Sequence, residues 1–133
     1  MSLFLFSSKK LSISHIKVDM VEHCVYLEFI VSGDPSEPQW IALMHDIVEP
    51  ISKTGKSRIF VDLSGISNAI DPMNHYRMGI RAGATFGIRA CLAALRPVWD
   101  DDNFWETVAT NRAAIAKSGD DRMTLLNWLT SDA

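Results

Sequence analysis

The sequence is poor in the features that most often betray a function. Two cysteines, Cys24 and Cys91, in 133 residues leave no disulfide framework. With no Cys-x-x-Cys or His-x-x-x-His spacing among these and His15, His23, His45 and His75, no zinc-binding pattern is present. No apolar run approaches the ~20 residues of a membrane span, so no segment is expected to cross a bilayer. Neither sign of charge prevails: 13 Lys and Arg stand against 16 Asp and Glu, for a formal net charge of −3, and the basic residues are scattered. Nucleic acid is therefore not an expected partner. Five prolines and seven glycines nowhere gather into a linker, and no repeat or low-complexity tract divides the chain.

What remains is the make-up of an ordinary globular protein, 47% hydrophobic and 22% charged, far from the composition that keeps a chain disordered. We expect residues 1–10 to be an N-terminal extension and residues 11–130 to form one domain around one core. The apolar stretch in Met1–Phe6 is too short for a signal peptide, and its lysines follow rather than precede it. Both cysteines lie in apolar runs, where buried reduced thiols are expected. Together these features point to the cytoplasm.

Leu11–Met20 alternates apolar and polar residues in two phases, as a strand with a bulge near His15 would, and Cys24–Ser32 reads as its hairpin partner. Asp34-Pro35-Ser36-Glu37 offers an N-cap, a first-turn proline and an acidic third position, opening a helix with the stripe Trp40, Ile41, Met44, Ile47, Val48 and Ile51. Pro50 should thin its last turn. Arg58–Leu63 has the β-branched, nearly continuous apolar pattern of a buried parallel strand, with a loop expected over Ser64–Ile70. Asp71-Pro72 opens a second helix, turning Met73, Tyr76, Ile80 and Ala84 inward and His75, Arg77 and Arg81 outward.

Arg89–Arg96 is the next buried strand, and Asp101–Asn103 caps a helix containing Phe104, Trp105, Val108 and Ala109. Ala114–Ser118 reads as a brief strand. Asp120 then caps a last helix with Met123, Leu126 and Leu129 on one face and Trp128 beside them. The order ββαβαβαβα defines an α/β fold: an opening β-hairpin, then alternating β/α units, in a mixed, mostly parallel sheet covered by about four helices.

Catalytic signatures are lacking. Gly55-Lys56-Ser57 has no upstream P-loop glycine and precedes a strand, so it reads as an αβ turn. Asp100-Asp101-Asp102 lacks the spacing of a calcium loop and suits a helix start. Asp62 and Asp71 could pair, but no nucleophile and base accompany them. No enzyme activity, cofactor or metal is expected. Gly79, Gly83 and Gly87 give the second helix a smooth stripe that suits either close helix packing or a groove for an apolar ligand or partner helix.

Arg58–Met73 (RIFVDLSGISNAIDPM) resembles the STAS signature, a buried strand ending in Asp-Leu-Ser-Gly followed by a loop and an Asp that opens a helix. Asn111-Arg112 and Leu125-Leu126-Asn127-Trp128-Leu129 are similar in spacing to the ending of small bacterial SpoIIAA-like proteins. The resemblance spans about residues 11–130. It implies a mixed sheet wound with helices and a regulatory or binding role, members being regulators, anion-transporter domains or proteins with a lipid-binding-like shape. In the anti-sigma-factor antagonists a phosphorylated serine follows the Asp at the second helix. Here Pro72 and Met73 stand in its place, so no such switch is expected, and Ser64 and Ser67 are the nearest hydroxyls. Ala113 replaces the family's glycine after Asn111-Arg112, and Gly119 stands where an aromatic is common.

The loops after two successive parallel strands should open at one edge of the sheet, where α/β folds commonly bind. That places a candidate binding surface at Asp71, Asn74, His75 and Arg77, with Trp99 and Asp100–Asp102 nearby. A protein partner or a second copy of the chain is the leading expectation. An apolar small molecule or lipid under the second helix is the alternative, and an enzyme the least expected.

Overall fold

The computed structural model describes residues 16–67, 72–87, 89–97, 104–112 and 114–131. Strands β1 (Ile16–Glu22) and β2 (Leu27–Gly33) form an antiparallel hairpin in which Ile16 faces Gly33 and Glu22 faces Leu27. Its turn is closed by the His23 N–H donating to the Tyr26 carbonyl at 2.9 Å. Strands β3 (Arg58–Ile66), β4 (Cys91–Leu95) and β5 (Ile115–Gly119) follow, each parallel to the one before it, in the order β1-β2-β3-β4-β5. Helices α1 (Glu37–Thr54), α2 (Pro72–Phe86) and α3 (Phe104–Asn111) carry the crossovers, and α4 (Arg122–Thr130) ends the chain. Neighbouring strands joined by crossovers of one hand send all their helices to one face. Only α4, which joins no strands, is free to take the other.

The mixed, mostly parallel sheet with four helices is the expected α/β fold, in the expected element order ββαβαβαβα. Strand alternation divides the core in two. One side buries Val18, Met20, Leu27, Phe29, Ile59 and Leu92 against Trp40, Met44, Ile47, Met78 and Ala109 of the three crossover helices. The other buries Phe60 and Ala93 against Leu125 and Leu129 of α4. Phe29 and Phe60 are both fully enclosed, a burial that stabilises by roughly 1.5–3 kcal/mol for each ring. The pairing of Arg58–Asp62 with Cys91–Leu95 confirms the adjacent parallel strands, though Phe60, Cys91 and Ala93 face α4 and not the crossover helices.

Several boundaries differ from expectation. The hairpin turn begins at His23, because Val21 and Glu22 still pair with Glu28 and Leu27. Helix α1 is capped at Ser36, not Asp34: its backbone N–H donates to Gln39 Oε1 at 2.8 Å, and Pro38 lies in the first turn. Leu43 and Pro50 are buried in α1 while Val48 is exposed, and the helix runs on past Pro50 to Thr54, where Gly55 turns it off in the left-handed region (φ 73°). Strand β3 runs through Ser64 and Gly65 to Ile66, where a loop was expected, because Ser32 and Gly33 continue to pair with Gly65 and Ile66 beyond a bulge. Helix α4 is capped by Asp121, not Asp120, its carboxylate accepting from Thr124 N–H at 3.0 Å. Leu125 and Leu129 face inward there, and Met123 is 64% exposed. Cys24 sits exposed in the hairpin turn, not buried, and Cys91 is half-buried; both are free thiols. The proposed bulge at His15 and the cap at Asp101–Asn103 lie outside the described residues.

Candidate functional site

Helix α2 packs through both large and small residues. Met78, Ala82 and Phe86 are buried at i, i+4 and i+8, with Gly79 and Gly83 beside them. A Cβ on Gly83 would lie 2.6 Å from Arg112 Cβ and 3.1 Å from its carbonyl oxygen, so the bare glycine is what lets the end of α3 approach. Of the glycine stripe, Gly83 thus serves close packing, whereas Gly87 ends the helix in the left-handed region (φ 52°). This rotation corrects the expectation for Tyr76 and Ala84, which are exposed and not inward. Arg77 and Arg81 are exposed as expected.

A cleft of about 230 Å³ opens on the other flank of α2, in its seam with α1. Ile41 and Met44 from α1 and Met78 and Ile80 from α2 supply its apolar lining. Glu37, Arg77 and Arg81 supply its charge, and Arg77 Nη1 donates to Glu37 Oε1 at 3.0 Å. That pair is solvent-exposed, so it is weak, worth up to about 1 kcal/mol, and easily exchanged. Of the candidate residues, Arg77 therefore lines the cleft. Asn74 and His75 fall in the opening turns of α2, with their side chains outside the described part. Asp71, Trp99 and Asp100–Asp102 lie outside the described residues.

The opposite face carries a polar cluster that sequence reading missed. Glu28, the second residue of β2, is 4% exposed. Its carboxylate receives Arg122 Nη2 from α4 at 2.5 Å and lies 2.8 Å from His23 Nε2. Arg122 Nη1 reaches Asp62 Oδ2 at 3.3 Å while the guanidinium lies over the Phe60 ring, 4.8 Å from its centre. Asp62 Oδ1 also accepts from the Ser64 hydroxyl at 2.6 Å and from the Ser64 N–H at 2.9 Å.

The hydrogen bond to Glu28 raises the Arg122 pKa still further, against the effect of its burial, and keeps it charged. The Tyr26 phenol stacks on His23 at 4.3 Å and is pushed above its usual value, first by burial and then by the Glu28 charge, with Arg122 opposing. Every charged group in the cluster is engaged by another, so its effect is to clamp α4 to the sheet. The signal was present in the sequence: Glu28 is the one charge inside Cys24–Ser32, and Arg122 is the first residue of α4.

Among the described residues no group of three or more His, Cys, Asp and Glu is placed to hold a metal ion. No helix among them is long and apolar enough to cross a membrane.

No family model matches the chain, and no curated protein matches it. Among solved structures, it is similar to an uncharacterised protein of the DUF3478 family from Shewanella loihica PV-4, described as having a SpoIIAA-like fold. The two share 18% identity over 86% of this chain and 93% of the other, with a TM-score of 0.46.

Proposed function

We propose that the chain is a non-catalytic, STAS-like binding domain that acts through protein–protein contact on its α1–α2 side. The observation that carries this is the cleft itself, an apolar seam edged by Arg77 and Arg81 on the side of the molecule away from the α4 clamp. Exposed Tyr76 and Ala84 extend that surface along α2. Asp71, Asn74, His75 and Trp99 belong to the same proposed surface, on the ground that loops after adjacent parallel strands open at one sheet edge. An apolar small molecule is the second reading, favoured by the lining of Ile41, Met44, Met78 and Ile80.

Native mass spectrometry of protein purified from its own host tests both, since it weighs a retained subunit and a retained small molecule alike. The double substitution His75→Ala with Arg77→Ala should leave folding intact and release the retained partner. Unchanged retention would refute the placement. With Pro72 and Met73 in place of a serine, regulation by phosphate at the α2 start is not part of this function. Stoichiometric phosphate on Ser64 or Ser67 in tandem mass spectrometry would bring it back.

A further inference from the structure

The cleft between α1 and α2 is too small for most small-molecule sites and well suited to a side chain. Its volume of about 230 Å³ falls below the ~300–1,000 Å³ of pockets that enclose drug-sized ligands. It lies between two helices, with Met44 and Met78 nearly buried within it and Ile41 and Ile80 half-exposed. Methionine adapts its shape to whatever fills the space beside it. Its charge runs against that of the whole chain: two arginines and one glutamate border the cleft, although the chain carries −3 overall. Arg77 is held by Glu37, whereas Arg81 is exposed and lines the same cleft.

We infer that the cleft seats one large apolar side chain of an acidic, amphipathic helical segment of a partner protein. The acids of that segment engage Arg81 and compete with Glu37 for Arg77. This rests on the protein-binding function proposed above and names the chemistry of the partner. Two features carry it. The space accepts an anchor residue of the kind that dominates helix-in-groove recognition. The rim also supplies positive charge where an acidic helix gains orientation and a basic one is rejected.

The test is a display library of helical peptides panned on the intact chain. Enriched peptides are then titrated against protein labelled at the methionine methyls. The expected result is a set rich in Asp and Glu around a Leu or Phe anchor, whose binding shifts the Met44 and Met78 methyl signals. Arg81→Glu should weaken these peptides about tenfold or more, and Arg81→Ala by less. Charge-reversed peptides carrying Lys should regain affinity for Arg81→Glu.

Basic or neutral peptides, binding indifferent to Arg81→Glu, binding that leaves both methyls unmoved, or no enrichment would each overturn the inference. So would sodium decanoate, used as a small-molecule probe, if it alone moves the two methyls. The proposed function has its own readout: loss of the natural partner in His75→Ala with Arg77→Ala, but not in Arg81→Glu, would sink the cleft while keeping protein binding on α2.

Discussion

Among the described residues, one face of the sheet lies under three crossover helices and the other under α4, and different forces hold them. On the crossover side the contacts are mainly apolar, from Ile16 and Phe29 to Trp40, Met78 and Ala109, with the Glu106 carboxylate of α3 accepting from the Ser118 N–H of β5. On the α4 side a nine-residue helix buries only Leu125 and Leu129 fully against Phe60 and Ala93, and two arginines add to the attachment: Arg122, shared by two strand carboxylates, and Arg58, whose Nη1 donates to the Leu129 and Ser131 carbonyls at 2.9 and 2.8 Å. A short helix offers little apolar area, so a charged clamp fixes where it sits. The α4 side is thereby committed to structure, while the crossover side, with area to spare, leaves an open seam between α1 and α2.

The sharpest way to break this comparison is Phe60→Ala. The ring has no exposure and underlies both the small apolar cluster and the Arg122 guanidinium, so the change should cost about 3–5 kcal/mol. Chemical denaturation measures it. A loss below about 1 kcal/mol would mean that α4 is not packed as described.

Next in size is an asymmetry within the clamp. Arg122→Ala leaves the Glu28 carboxylate enclosed, its side chain only 6% exposed, and should cost about 2–3 kcal/mol. Glu28→Gln leaves a guanidinium whose side chain is 41% exposed and can hydrate, and should cost about 1 kcal/mol. Replacing both with methionine should recover most of the loss, because paired burial of charge contributes little beyond what apolar packing provides. Equal costs for the two single substitutions would show the pair to be solvated.

On the crossover side, Gly83→Ala should destabilise by about 1–2 kcal/mol in thermal melts. Helix propensity favours alanine by about 1 kcal/mol, but its Cβ would meet Arg112 Cβ at 2.6 Å and push α3 away. A gain in stability would refute the close approach. The smallest effect is alkaline. The Tyr26 pKa is raised in the folded state, so its contribution is full below the ordinary phenol value of about 10 and is lost as pH climbs through the folded value. Tyr26→Phe should flatten that part of the stability profile, and an unchanged profile would show that another group causes the alkaline loss.

Much of the fold was legible because it is written in local signals. Asp71-Pro72, the apolar run Arg58–Leu63 and the αβ turn at Gly55 each announce an element, and the order of elements implies the sheet. Orientation was harder to read. Tyr76 and Met123 look like core residues by hydrophobicity, yet Met78, Ala82 and Phe86, with Gly79 and Gly83 beside them, occupy the packed side of α2, and Leu125 rather than Met123 faces the sheet from α4. Apolar residues lie on both sides of these helices, so periodicity alone leaves their rotation open. The clamp was illegible for a different reason: Glu28, Asp62 and Arg122 are up to 94 positions apart in sequence, and only the pairing of β2 with β3 under α4 brings them together. Ordinary helix periodicity turned Arg77 outward, and it borders the cleft.

The division of labour between the two sides is tested most directly by one paired measurement, native mass spectrometry and thermal unfolding of Arg77→Ala with Arg81→Ala beside Arg122→Ala. The account predicts that the first variant stays within about 1 kcal/mol of the parent while releasing its retained partner. It predicts that the second loses about 2–3 kcal/mol and, while folded, keeps the partner. Retention by the first variant together with release by folded Arg122→Ala would place binding on the α4 side and contradict it.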